Sequence, residues 1–350
     1  MAPKERTAGP EVVKEKESSG EGRGVHPPIL FERTQKVLAR LEQELGEPVL
    51  TYWNSNKGSI CQNDVAGLYG LLQRLGKVDR LSMFIKSDGG SGQASLRMVN
   101  LLRQYTKHLT VLVPFECQSA ATMLALGADR ILMGPIAHLS AVDTSLTHDL
   151  SPIDRDNDRV SVSQDELQRV VGLWQRQTTT ETANPYESLF RHVHPLVIGA
   201  VDRASALSTK LCLEILSYHM DDLEKAQAIS ETLNSGYPSH SYPITLREAQ
   251  RIGLHTEPMA DAMSHLLFEL NEIYAEMGQN AYVDFDERNS HDNSISNVME
   301  ASGFQVFFQL NKDWHYRTEE RRWVALNDRS GWKRAQMADG SVSVTAFHVR

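Results

Sequence analysis

The sequence predicts an α/β fold built on a mostly parallel sheet, with a small β-rich appendage at its end. Short apolar runs of strand length alternate with segments whose apolar residues recur at helical spacing, the pattern of right-handed crossovers onto a parallel sheet. Two of these units share one plan of strand, small-residue turn and helix: Ser87-Asp88-Gly89-Gly90 stands at one turn and Ser119-Ala120 at the next. Beyond about residue 290 the helical periodicity gives way to alternation and aromatic side chains.

Residues 1–27 are rich in Lys, Glu, Gly, Ser and Pro and nearly devoid of large apolar side chains. Burial there cannot offset the entropy of ordering, so a disordered tail is expected. Residues 28–288 read as one domain and 289–350 as the appendage. Within the domain a helix is expected over about 30–45, a strand over 48–53 and a helix over about 62–76. Residues 80–86 form an apolar-rich strand, and past the glycine turn Leu96, Val99 and Leu102 recur at helical spacing. Residues 108–113 are a buried-type strand broken by Pro114; Ser119 then opens a small-residue helix, and a strand from Arg130 closes at Pro135. The pattern dissolves over about 144–162 into Thr, Ser, Asp and Pro, after which Ser163 with Glu166 makes a capping box for a helix through Trp174. Helices follow over about 196–217 and 221–234. In the appendage Phe304, Val306 and Phe308 alternate, 314–316 and 322–326 read as strands, and 327–331 as a turn before Trp332. The plain expectation is a small β unit with its own core; the functional one is an aromatic surface for a peptide or partner protein.

At 350 residues and 41% hydrophobic content the chain can bury one large core plus a small appendage. A formal charge of -9 argues against nucleic acid or an anionic membrane as the main partner. Cys61, Cys117 and Cys212 have no paired spacing, so reduced thiols and a cytoplasmic setting are expected. No stretch approaches the ~20 apolar residues needed to span a bilayer, and the first residues contain no apolar signal core. The alternating Asp154, Asp156 and Asp158 resemble a calcium loop, but Arg159 stands where the sharp turn needs glycine and Asp165 where a closing Glu is needed. His192 and His194 precede the helix-starting Pro195 with no further ligand at metal-site spacing. No metal or other cofactor is expected.

The two turns carry the chemistry. Backbone N–H groups at a glycine turn beside a helix N-terminus can point at a developing oxyanion, which nominates Gly89, Gly90 and Ala120. A serine at a helix start has a polarised hydroxyl, which nominates Ser119 as a nucleophile. The bland alternative is real: serine is among the commonest helix N-caps, and Gly-Gly among the commonest turns. Cys117 is a possible thiol nucleophile two residues upstream, although it is expected to face elsewhere in the turn.

Together, in this order, these segments resemble the Clp/crotonase superfamily of serine peptidases. Ser119 with its small-residue helix to Asp129, then Arg130 to Pro135, resembles the signal peptide peptidase pattern; Leu233 to Gly236, Ser239-His240-Ser241-Tyr242-Pro243-Ile244-Thr245, Glu248-Ala249 and Gly253-Leu254 resemble the end of that core. The combination resembles the serine dehydrogenase proteinase family over roughly residues 45–260, weakly around 147–195. The resemblance implies a repeated ββα superhelix, a homo-oligomer whose later helices pack between subunits, and hydrolysis of peptides or unfolded proteins.

The general base does not transfer from relatives. Signal peptide peptidases use a downstream lysine, yet no lysine lies between Lys107 and Lys210. The Clp proteolytic subunit uses a histidine after the next strand, where this chain has Val142-Asp143. His240 falls beside that subunit's triad aspartate position, so the two roles are expected to have exchanged: His240 as base, Asp143 orienting it. His138 and Lys210 are the alternative bases, and a turn histidine bonded to backbone is the ordinary reading of His240. Two other functions stay open. A catalytically silent Clp-fold scaffold is favoured by the unsettled base and by Ser241, where relatives often carry an acid. A crotonase-type acyl-CoA enzyme shares the two-turn design but does not use a serine there.

Overall fold

The computed structural model describes residues 26–155, 158–177, 184–279 and 281–349. Apart from His26 and Pro27, the expected disordered tail lies outside the described residues.

The first half repeats one unit. Helix α1 (Phe31–Leu45) leads into β1 (Val49–Asn54), followed by α2 (Asp64–Leu75), β2 (Val78–Lys86), α3 (Gly92–Tyr105), β3 (Thr106–Val113), the short β4 (Glu116–Cys117), α4 (Ala120–Ala125), β5 (Arg130–Met133) and the short β6 (His138–Leu139). β1, β2, β3 and β5 pair in parallel, as apolar strands linked by helical crossovers must. Each main strand runs on into a short extended piece that pairs with its neighbour's: Ile60 bridges Gly90, Ser87 bridges Cys117, and β4 pairs with β6. This second, smaller ladder at the carboxyl ends of the main strands is the second β of the expected ββα repeat, and it carries both turns.

The next stretch holds β7 (Ser145–Leu146), β8 (Val162–Ser163), α5 (Gln164–Gln177), α6 (Pro185–Leu189), α7 (Pro195–Leu216), α8 (Leu223–Ser235), α9 (Leu246–Arg251), β9 (Thr256–Pro258) and α10 (Asp261–Met277). The capping box forms as expected: Ser163 Oγ accepts from Glu166 N at 3.2 Å, and Glu166 Oε2 accepts from Ser163 N at 3.0 Å.

Alternation along β1 divides the core. Leu50 and Tyr52 face a layer containing α2, α3, α4, α7 and α8, whereas Val49 and Trp53 face α1 and α10. Helices therefore cover both sheet faces, which is why β1 is buried along its whole length.

The chain ends in β10 (Ala281–Asp286), β11 (Asn289–Ala301), β12 (Phe304–Arg317), β13 (Arg322–Asp328), β14 (Gly331–Ala338) and β15 (Ser341–Ala346). These strands form an appendage, but one without a separate core, contrary to the expectation. β11 pairs antiparallel with β1, giving one 11-stranded sheet. Ile295, Val298 and Phe307 join the cluster of α1 and α10, while Met299 and Val306 join the opposite one. The segments expected over 314–316 and 304–308 are one continuous strand, β12, because β11 supplies a partner along its full length.

Candidate active site

The site lies beyond the carboxyl ends of β2 and β3, where ligands bind in open parallel sheets. Ser87 N donates to Glu116 O at 3.1 Å and Gln118 N to Ser87 O at 2.9 Å, so the two turns are stitched side by side. Gly89 and Gly90 have φ of +111° and +141°, conformations that side chains resist. Space is equally restrictive. A methyl on Gly89 would lie 2.7 Å from Ser119 Cβ and 3.2 Å from Ala120 N, and one on Gly90 would lie 2.4 Å from Ile60 O. Only glycine lets the first turn approach the serine this closely.

Ile60 holds Gly90 in place. Its N–H donates to Gly89 O at 2.8 Å and its carbonyl accepts from Ser91 N at 2.9 Å, directing Gly90's own amide the other way. Buried Asp64 in turn accepts from Cys61 N at 2.7 Å and Tyr52 Oη at 2.7 Å. Gly89 N donates to Ser87 Oγ at 3.1 Å. Among the described residues, Gly90 N and Ala120 N have no such acceptor. Of the three nominated amides, only Gly89 N is engaged by an acceptor among the described residues.

Ser119 adopts φ 52° and ψ −119° and is the N-terminal neighbour of α4. For a non-glycine residue such a conformation costs roughly 1–3 kcal/mol and persists only where its surroundings enforce it. Its hydroxyl does not cap the helix, so the ordinary N-cap role does not apply. Ser119 N donates to Ser140 Oγ at 2.8 Å, and Thr122 Oγ1 donates to Cys117 O at 2.8 Å. Ser95 Oγ donates to Ala120 O at 2.6 Å.

The chain after β6 runs beside the loop carrying His240. Leu139 and Ile244 exchange both backbone hydrogen bonds at 2.9 Å, and Val142 N donates to Leu233 O at 2.9 Å. Ser208 Oγ on α7 also donates to Val142 O at 2.9 Å. Asp143, next in sequence, then meets His240: Nδ1 and Oδ1 are 2.8 Å apart. The carboxylate is the more enclosed of the two, at 20% side-chain exposure against 49%. Its hydrogen bond raises the imidazole pKa above the usual value, outweighing the burial that acts against it. With Nδ1 held by the carboxylate, Nε2 is left as the proton-accepting nitrogen.

The other nominated groups sit differently. Lys210 is exposed on α7. His138 lies in β6 opposite Glu116, its backbone N donating to Phe115 O at 3.2 Å. Cys117 is wholly buried, and burial drives its thiol pKa far up, the opposite of a reactive cysteine. Among the described residues no group of three or more His, Cys, Asp or Glu is placed to hold a metal ion, and no helix is long and apolar enough to cross a membrane. Asp156 lies outside the described residues. Sequence reasoning placed Ser87 in the first turn without giving its hydroxyl a role, and did not single out Asp64, Thr122 or Ser140, since common residue types on separate elements give no local signal.

No family model matches the chain. It is similar to two uncharacterized proteins of Methanocaldococcus jannaschii, at 24% identity over 190 residues and 22% over 194. Those alignments cover 54% and 55% of this chain, and the chain spans only 58% and 56% of the relatives' length. Among solved structures it is similar to a mutant of the 1510-N membrane-bound stomatin-specific protease, at 14% identity and a TM-score of 0.35, covering 64% of this chain and 83% of that one. A mutant of ClpP1 from Listeria monocytogenes is similar at 12% identity and a TM-score of 0.35, covering 67% of this chain and 99% of that one.

Proposed function

We propose that this chain is a serine peptidase of the Clp-fold kind, related to the serine dehydrogenase proteinases, that hydrolyses peptides or unfolded proteins and works as a homo-oligomer. The observation that carries the reading is Ser119 itself: a strained, partly exposed serine, its hydroxyl free of the helix, pressed against a turn that only glycine can make. In this reading Ser119 Oγ attacks the peptide carbonyl carbon while its proton passes to His240 Nε2. Asp143 stabilises the resulting imidazolium and fixes its tautomer. The amides of Gly90 and Ala120 donate to the oxyanion; Gly89 serves by closeness, since its own N–H is engaged by Ser87. Collapse of the tetrahedral intermediate breaks the C–N bond, the amine leaving with the proton from His240. Water, deprotonated by the same imidazole, then releases the acyl group from Ser119.

The test is hydrolysis of unstructured peptides by the wild-type chain and by Ser119→Ala. The reading requires turnover in the first and none above background in the second, with unchanged folding. Undiminished turnover in the variant removes Ser119 from the mechanism.

A further inference from the structure

We infer that Ser140 is a positioning residue for the nucleophile, an inference that rests on the serine-peptidase reading. Ser140 is fully buried, so it cannot touch substrate. Its hydroxyl accepts from Ser119 N at 2.8 Å and donates to Ala141 O at 2.9 Å, so both the proton and a lone pair are committed. Its backbone N donates to Thr122 Oγ1 at 3.1 Å, and that hydroxyl in turn donates to Cys117 O at 2.8 Å. One closed set of bonds therefore spans the turn from Cys117 to Thr122 and ties it to the segment that, three residues after Ser140, presents Asp143.

Two consequences follow from the chemistry. The left-handed φ of Ser119 turns its N–H away from the course of α4, and Ser140 Oγ is the acceptor that meets it there. Without that acceptor the half-buried Ser119 N–H loses its partner, and the turn relaxes toward the ordinary helical conformation, which re-aims Oγ. Second, Ser140 occupies the Ser119 amide, a possible third oxyanion donor, and so confines that task to Gly90 and Ala120.

The experiment compares wild type, Ser140→Ala, Ser140→Cys and Ser140→Thr in peptide hydrolysis, in the rate of fluorophosphonate labelling, and in thermal unfolding. Ser140→Ala and Ser140→Cys should stay folded yet lose about 10–100-fold in kcat with KM within about twofold, the pattern of an interaction that matters in the transition state. Labelling should slow in parallel, and Ser140→Thr, which keeps the hydroxyl, should recover most of both rates. The acid limb of the pH profile should not move, since the His240–Asp143 pair is untouched. Wild-type kcat and labelling in the folded Ala and Cys variants would overturn the inference alone, as would failure of both to fold. A wild-type chain that neither turns over nor labels would instead defeat the peptidase reading beneath it.

Discussion

At the scale of single residues, the site depends on atoms that have no substitutes. Gly90→Ala puts a methyl against Ile60 O in a backbone conformation that L-residues avoid, so the amide must move. Losing one oxyanion donor costs ~100–1000-fold in kcat, and Gly90→Ala should fall in that range in a peptide assay; a loss under tenfold would remove Gly90 N from the mechanism. The raised pKa of His240 fixes the direction of the pH dependence. A base must be neutral, so kcat/KM should fall as pH drops through an inflection above the ~6.5 of a free imidazole. Asp143→Asn removes the cause of the shift and should bring that inflection down while lowering kcat; an inflection indifferent to Asp143→Asn would separate the pair from catalysis. For stability the sign runs the other way, because the pair's contribution is complete below the unfolded pKa and is lost as pH rises through the folded one. At this scale the sequence was legible where chemistry is rare, as at Gly89-Gly90 and at His240 beside Pro243. It was mute where chemistry is common: Ser140 is one serine among many, and its meeting with Ser119 N depends on pairing between β4 and β6 that no local pattern encodes.

At the scale of elements, apolar periodicity announced β1, β2, β3 and β5 and their helices because each buries a full face or stripe, whereas the two-residue β4 and β6 carry no such pattern. β11 escaped for the opposite reason. Its middle reads Asp292-Asn293-Ser294-Ile295-Ser296-Asn297, a composition of loops, yet all six residues are buried, paired with β12 on one side along most of the run and flanked on the other by β10 at Asp292 and Asn293 and by β1 at Asn297, where ladder and side-chain hydrogen bonds satisfy most of their polar groups. The same strand ends in wholly buried Glu300, which accepts from Thr34 Oγ1, Gln35 Nε2 and Tyr274 Oη at 2.6 Å and from Gln305 Nε2 at 2.8 Å. Burial raises its pKa, and among the described residues no cation pairs with it. Glu300 thereby locks α1, α10 and β12 onto one another. Glu300→Ala orphans these donors and should cost at least ~1–3 kcal/mol in denaturant unfolding. A cost below ~0.5 kcal/mol, the range of ordinary surface changes, would show that the cluster does not join these layers.

At the scale of the whole molecule, the excursion between β6 and α8 leaves apolar surface uncovered. Val170 and Leu173 on α5 are 51% exposed, Phe190 46%, and Leu196 on α7 63%. A small satellite core around Val162, Leu167, Val197 and Val201 anchors this region, too small to cover those side chains. Exposed apolar side chains gathered in one region of the chain mark interaction surfaces, and a second copy of the chain is the proposed occupant. Light scattering at micromolar concentration should therefore give a multiple of the 39.3 kDa chain mass. A monomer would leave the patch to another partner, and Leu196→Glu should split any oligomer found. All of this presupposes that Ser119 performs covalent chemistry. The most direct measurement is a fluorophosphonate adduct mapped by peptide mass spectrometry on the intact chain. The account predicts one phosphonylated residue, Ser119, formed faster as His240 loses its proton and absent from Ser119→Ala. An unlabelled chain, or an adduct on a different serine, would contradict it.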